Sequence, residues 1–341
     1  MRFGATCALG LRDSPLAARF IYGHEPQIQL LENSLKQNRF PHTYLFSGMA
    51  GIGKRKVATA LAQRIYCTGD FLSFTPCQEC PSCQKVMRGS HPDLLFLEPE
   101  GQFIRIKAIR DIQEQMQYKP MEAEKRIIIV DDADRMNVTS ANALLKTLEE
   151  PAPNNIIILI TANPSALLRT ILSRCQQLRF APLNRQEIMS YLQDHYNLEE
   201  KECALFAAAS GGSIRGAIAM AEGNYKKVRD KIFNSIGMLD QMTPLELFTF
   251  IAEQGKDRED ILEKLTMILQ CYRDVLVFRE MKTEECLTNR DRMDVIASMA
   301  DRMDTQKVLG YLRTVEYAYH AIRQNANKAL TLDMMMFKLA H

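Results

Sequence analysis

Three groups of residues in this 341-residue chain have the types and spacing to do chemistry. The first is Gly48-Met49-Ala50-Gly51-Ile52-Gly53-Lys54-Arg55, which follows the apolar run Tyr44–Ser47 and opens a helical pattern. Glycines let backbone N–H groups converge on a phosphate, a helix N-terminus adds positive potential, and a lysine reaches the outer phosphates. Gly48, Gly51, Gly53 and Lys54 are therefore candidate nucleotide-binding residues, with ATP or ADP as the ligand. The last position of such a loop should be Ser or Thr, whose hydroxyl binds Mg²⁺. Here it is Arg55, which has no lone pair to offer and carries a charge that repels the metal. The loop is predicted to be a degenerate Walker A motif. It either binds nucleotide without turnover or survives as a relic that holds the fold.

The second group is Asp131-Asp132-Ala133-Asp134, directly after the apolar run Ile127–Val130. This is a Walker B pattern, and Asp131 stands where the carboxylate linked to Mg²⁺ belongs. Asp132 occupies the position where a longer Glu usually orients the attacking water. A misplacement on the order of 1 Å can cost about a hundredfold in rate, so this second defect agrees with the first.

The third group is Cys67, Cys77, Cys80 and Cys83, four of nine cysteines; the others are scattered. Clustered cysteines in a cytosolic-looking chain argue for metal rather than disulfides. Four thiolates complete a closed tetrahedral Zn²⁺ site with no open position for chemistry, so the role is structural. Pro76 and Pro81 stiffen the loop, Lys85 and Arg88 add positive charge nearby, and His91 lies beyond the cluster. Free reduced thiols are the competing reading.

These groups need elements to position them. Between residues 21 and 182, short apolar runs (Tyr44–Ser47, Leu94–Leu97, Ile127–Asp131, Ile156–Thr161) alternate with helical patterns at Arg55–Tyr66, Ile104–Tyr118 and Ser140–Leu148. Such alternation predicts an α/β domain, a parallel sheet covered by helices. After Pro182 the strands stop. Residues 183–242 read as short helices broken at Gly211-Gly212. Residues 243–341 read as an α-helical bundle, with apolar positions recurring at helical spacing through Ile261–Phe278 and Val308–Ile322. Most of methionines 293, 299, 303 and 334–336 are expected as bundle core filler. Residues 1–20 carry little structural signal and read as a loose N-terminal extension, or as a start placed too far upstream.

The bulk numbers exclude several classes. A net charge of +2, from 43 basic and 41 acidic residues, gives no overall field for nucleic acid. DNA contact must be local or delivered by partners. No apolar run approaches the length of a membrane span, and no signal peptide is read, so a cytoplasmic protein is expected. A zinc DNA-binding module or a metal-dependent nucleotide enzyme fits poorly with a closed cysteine set and near-neutral charge.

Ala141-Asn142-Ala143-Leu144-Leu145-Lys146-Thr147-Leu148-Glu149-Glu150-Pro151, the run Ile156–Thr161, and Thr170-Ile171-Leu172-Ser173-Arg174-Cys175 together resemble bacterial DNA polymerase III clamp-loader subunits, a branch of the AAA+ family. The resemblance is strong over residues 21 to about 216 and weak beyond. It implies an AAA+ domain at 21–182 with a zinc module at 67–83, a small helical lid at 183–242, and a helical collar at 243–341 through which subunits form a ring. It places Thr161 at sensor 1 and Arg215 at sensor 2, and puts His24 beside the adenine. It also makes Arg174 an arginine finger, which acts in trans on a neighbour's ATP. Two sister types share the fold, the gamma/tau ATPase and delta-prime. The ATPase should carry an intact GK[ST] and a DE pair, and this chain carries neither, so the resemblance implies the delta-prime type. Such a subunit has no intrinsic ATPase but belongs to the DNA-directed DNA polymerase (nucleotidyltransferase) holoenzyme, in the nucleoid-associated replisome. Its partners would be gamma/tau and delta subunits and, through the complex, the sliding clamp and primer-template DNA. A working gamma/tau-type ATPase is the alternative, favoured by the retained Arg215.

Overall fold

The computed structural model describes residues 21–69, 73–239 and 257–340. The expected extension at 1–20 and the expected boundary at 242/243 lie outside these residues. The described residues divide into two compact units, residues 21–49 with 53–181, and residues 50–52 with 182–340.

The first unit is built on five parallel strands: β1 Thr43–Ser47, β2 Leu94–Leu97, β3 Arg126–Val130, β4 Asn155–Thr161 and β5 Gln176–Arg179, in the order β2-β3-β4-β1-β5. Its helices are α1 Glu25–Lys36, α2 Lys54–Tyr66, α3 Pro81–Met87, α4 Ile106–Met116, α5 Val138–Glu149 and the short α6 Arg169–Leu172. Every residue of β1, β3 and β4 is buried, as expected for strands covered on both faces. The α/β class expected from the alternation is the one observed. The sequence reading missed β5, because Gln176-Gln177-Leu178-Arg179 is polar and buries Leu178 alone.

The order of the strands is what gathers the motifs. β4 lies between β1 and β3, and Ser47 pairs in register with Thr161. The phosphate loop, the acidic turn and Thr161 therefore leave the carboxyl ends of three adjacent strands. That edge is where open α/β sheets place their ligands.

Asp93 anchors the far end of β3. Its fully buried carboxylate accepts from the backbone N–H groups of Met121, Glu122 and Ala123 at 2.7–2.9 Å, and Arg126 stands 3.7 Å away. Burial alone would raise its pKa, but the three N–H donors and Arg126 hold it below the ordinary carboxylate value. A depressed folded pKa adds stability that is present above the unfolded value and lost as pH falls through the folded one. Asp93→Ala should cost about 3–5 kcal/mol, since it leaves Arg126 buried beside three unpaired N–H groups. Most of that difference should vanish well below about pH 4, where the wild-type carboxyl is protonated too; denaturant titrations across pH check both points.

The second unit is helical: α7 Arg185–His195, α8 Glu200–Ala209, α9 Ile214–Glu222, α10 Tyr225–Gly237, α11 Arg258–Met281, α12 Met293–Arg302, α13 Thr305–Arg323 and α14 Lys328–Ala340. A capping box formed by Asn184 and Glu187 starts α7, and Asp304 caps α13. One continuous apolar core runs from Leu183 to Leu339, so both helical regions expected from the sequence contribute to it. Met299, Met303, Met335 and Met336 fill that core as expected, whereas Met334 is exposed. Arg229, almost fully buried, is held by Asp230, Asn289 and Asp291 and ties α10 to the segment before α12.

Candidate functional site

The glycine-rich loop joins β1 to α2 with positive φ at Gly48, Gly51 and Gly53, the open turn that a phosphate cradle would need. Lys54, buried at the first turn of α2, directs its ammonium to the carbonyls of Gly48 and Met49, at 2.5 and 2.6 Å. Its positive charge thus closes the loop upon itself.

The Arg55 side chain reaches the ends of β2 and β3. One guanidinium nitrogen bonds Asp131 Oδ2 at 3.3 Å, another pairs with Glu98, and the group stacks 5.1 Å from the centre of the Phe96 ring. The Asp131 carboxylate is thereby paired with a side chain from the first turn of α2. The sequence marked Arg55 as hostile to Mg²⁺ but gave no sign of Glu98 or Phe96, which reach it from the end of β2.

Asp132 sits in the left-handed region at φ 46°, and its carboxylate faces Arg135 at 3.7 Å. Thr161 is fully buried; its hydroxyl donates to Asp134 at 2.5 Å and accepts from the Asn163 N–H at 2.9 Å. These bonds fix the end of β4 against the acidic turn. Asp134, the third acid of the run, is a partner that spacing alone did not single out. His24, nearly buried, packs edge-on against Phe180 at 5.0 Å.

In the second unit, Gly51 packs against the turn that opens α9. Its carbonyl accepts from the Arg215 N–H at 3.0 Å, and a Cβ at Gly51 would lie 2.4 Å from Ser213 Oγ. With φ at +77°, glycine is required there on both counts. Ser213 caps α9, and the Arg215 side chain is exposed.

Arg174 follows α6. Its Nη2 pairs with Glu149 Oε1 at 2.7 Å, and its Nη1 donates to the Thr170 carbonyl at 3.0 Å and contacts Ser173 Oγ at 3.5 Å. About a third of the side chain is exposed, 35%.

The four cysteine sulfurs converge within 4.8 Å of one another. Cys77 and Cys83 Sγ are 3.8 Å apart, and four sulfurs each about 2.3 Å from a central Zn²⁺ would stand about 3.8 Å apart. Backbone N–H groups point at the sulfurs: Gly69 and Cys77 at Cys67, Cys80 at Cys77, and Cys83 at Cys80, all at 3.4–3.5 Å. Such donors stabilise thiolates. At Cys80 burial pushes the pKa up, but the N–H groups of Cys83 and Thr68 outweigh it and bring the thiol to about 6. Gly69 leaves the room required, since a Cβ there would meet Cys77 Cβ at 3.1 Å. The donor set and spacing are those of a cluster that can hold a metal ion, and His91 is instead stacked on Tyr66 at 4.1 Å.

Among the described residues no helix is long and apolar enough to cross a membrane. Residues 23–184 match the family described as DNA polymerase III, delta subunit, and residues 224–341 match its C-terminal family. DNA polymerase III subunit delta-prime of Bacillus subtilis is 31% identical over 320 residues, 92% of this chain and 96% of that protein. DNA polymerase III subunit tau/gamma of Haemophilus influenzae is 33% identical over 245 residues, 69% of this chain but 35% of that longer protein. A solved DNA polymerase III gamma subunit-related protein from Thermotoga maritima is 21% identical, covering 92% of this chain and 98% of that one, with a TM-score of 0.45. The match to the Bacillus protein runs through nearly its whole length and takes in both the sheet unit and the helical unit: the chain belongs to the DNA polymerase III delta-prime family.

Proposed function

We propose that this chain is the subunit of a bacterial clamp loader that completes a neighbour's ATP site while turning over no ATP itself. One observation carries the second half of that reading, the Arg55 guanidinium seated on Asp131. A divalent ion at Asp131 would have to displace a charge fixed by Glu98 and Phe96 as well. Any ATP or ADP held through Gly48, Gly51, Gly53 and Lys54, with Arg215 as sensor 2, stays intact. Arg174 then serves a partner. A planar, permanent charge beside a transferring phosphate stabilises the charge developing there.

The partners that follow are gamma/tau ATPase subunits and a delta subunit. The complex opens the sliding clamp and places it on primer-template DNA in the cytoplasmic replisome. Residues 183–242 act as lid and 243–341 as the collar of the ring. The ion in the Cys67, Cys77, Cys80 and Cys83 cluster is Zn²⁺, because four thiolates in a closed tetrahedron suit it and leave no site for catalysis.

The gamma/tau-type reading has support in the 33% identity to the Haemophilus tau/gamma protein. Turnover by the isolated chain separates the two. We expect no Mg²⁺-dependent ATP hydrolysis above background. A rate of about 0.1 per second or faster, abolished by Lys54→Ala, would establish the ATPase reading instead; that threshold is far below ordinary enzyme rates.

A further inference from the structure

Arg174 is already held in the free chain, and the manner of its holding decides what can still reach it. Arginine has five N–H donors. Nη1 donates to the Thr170 carbonyl and contacts Ser173 Oγ, and Nη2 pairs with Glu149. These three contacts do not use all five donors, and the side chain is partly open to solvent, so the guanidinium can still be approached.

Glu149 is the last residue of α5, and Glu150 follows as its cap. Carboxylates are disfavoured at a helix C-terminus, where the backbone carbonyls already concentrate negative potential. A cation at this place is correspondingly favoured, and Arg174 is the one that Glu149 contacts. The Thr170 carbonyl, from the first turn of α6, supplies the second support. Residues of two helices thus hold the guanidinium.

We infer that Glu149 is a positioning residue for the finger. It orders Arg174 before the neighbouring subunit docks, so that the guanidinium arrives already oriented. This inference rests on the finger reading above. A freely rotating arginine must lose its rotamer freedom when it engages phosphate, and a pre-ordered one has less to lose. An exposed ion pair is weak, so the effect is modest, and the same weakness lets the guanidinium shift onto the phosphate without a large barrier.

The test uses the clamp loader reconstituted with its ATPase subunits, the other ATP sites being disabled. Glu149→Ala should lower kcat at the site served by Arg174 about two- to fivefold, with KM unchanged and the complex intact by gel filtration. Glu149→Gln, which keeps an acceptor oxygen without the charge, should fall between. In an Arg174→Ala background, Glu149→Ala should do nothing further, because Glu149 works through the arginine. A merely structural Glu149 would instead give additive losses together with a lower melting temperature. Increased turnover on Glu149→Ala would mean that the carboxylate restrains the finger, and would overturn the inference. An unchanged rate would do the same. If Arg174→Ala itself has no effect, the finger reading fails, an outcome distinct from failure of the Glu149 role alone.

Discussion

Arg174→Ala should leave the clamp loader assembled and cripple one of its ATP sites. When that site is isolated by disabling the others, turnover should fall by about 10³–10⁵, the range for an arginine supplied in trans to a transferring phosphate. In the fully active ring the loss in total hydrolysis is partial, because other sites keep their own fingers. Assembly survives because interfaces of this kind involve about 20–30 residues a side and few of them decide association. Arg174 also contributes little to the fold of its own chain: it is partly exposed and its partner Glu149 is half exposed. Exposed pairs of that sort contribute about 0–1 kcal/mol. The melting temperature should therefore stay within a few degrees of wild type, so that lost activity cannot be ascribed to unfolding. Lysine at this position should not rescue, since a point charge lacks the two parallel donors. Unchanged hydrolysis and loading in an intact Arg174→Ala complex would reduce the Glu149 contact to an ordinary surface ion pair.

The residues that bear on this chemistry were legible to different degrees, and the reason lies in how each is specified. Gly48, Gly51, Gly53, Lys54 and Arg55 announce themselves because a phosphate loop is local, one strand end and one helix start. Cys67, Cys77, Cys80 and Cys83 do so because metal ligands must be close in space and short spacings bring them there. The strands β1, β3 and β4 were legible because burial on both faces demands unbroken apolar runs. Pairings between distant segments were not. Nothing in Leu97-Glu98-Pro99 indicates that Glu98 will meet Arg55, since that contact depends on β2 lying next to β3. Glu149 stood inside the motif that carried the family resemblance, yet its contact with a residue 25 positions later is a product of how α5 and α6 pack. The edge strand β5 was lost because a half-covered strand does not need the apolar signature of its neighbours. Thr161 was placed at the right strand end, but its hydroxyl turned out to be committed to Asp134. Position in a motif specifies where a side chain starts, and packing decides what it touches.

Removing the metal should be as consequential for the fold as removing the finger is for the chemistry. Elemental analysis of the purified chain should find one Zn²⁺, and Cys80→Ser should lose most of it. The consequence extends beyond the loop because the module is fastened to the first unit. The Gln63 side chain donates to the Cys83 carbonyl, Arg64 donates to the Gly69 carbonyl, and Glu32 accepts from the Phe74 N–H. Two of those residues lie on α2, the helix that begins with Lys54. Ligand binding energy is folding energy at such sites, on the order of 10 kcal/mol for isolated zinc modules. Only part of it reaches the global transition here, because the parallel sheet has a core of its own. A loss of about 2–4 kcal/mol, at roughly 2–4 °C per kcal/mol for a unit of this size, lowers the melting temperature by about 5–15 °C. Chelation of the wild-type chain should produce the same shift, and added Zn²⁺ should reverse it. Lowering the pH should release the ion as protons compete for the thiolates. Arg174 and the phosphate loop stand on the same sheet, so a chain stripped of zinc should also assemble poorly with its ATPase partners near its lowered melting point. A metal-free chain with wild-type melting behaviour and four freely reacting thiols would show that the cluster is a set of reduced cysteines and that α2 needs no such anchor.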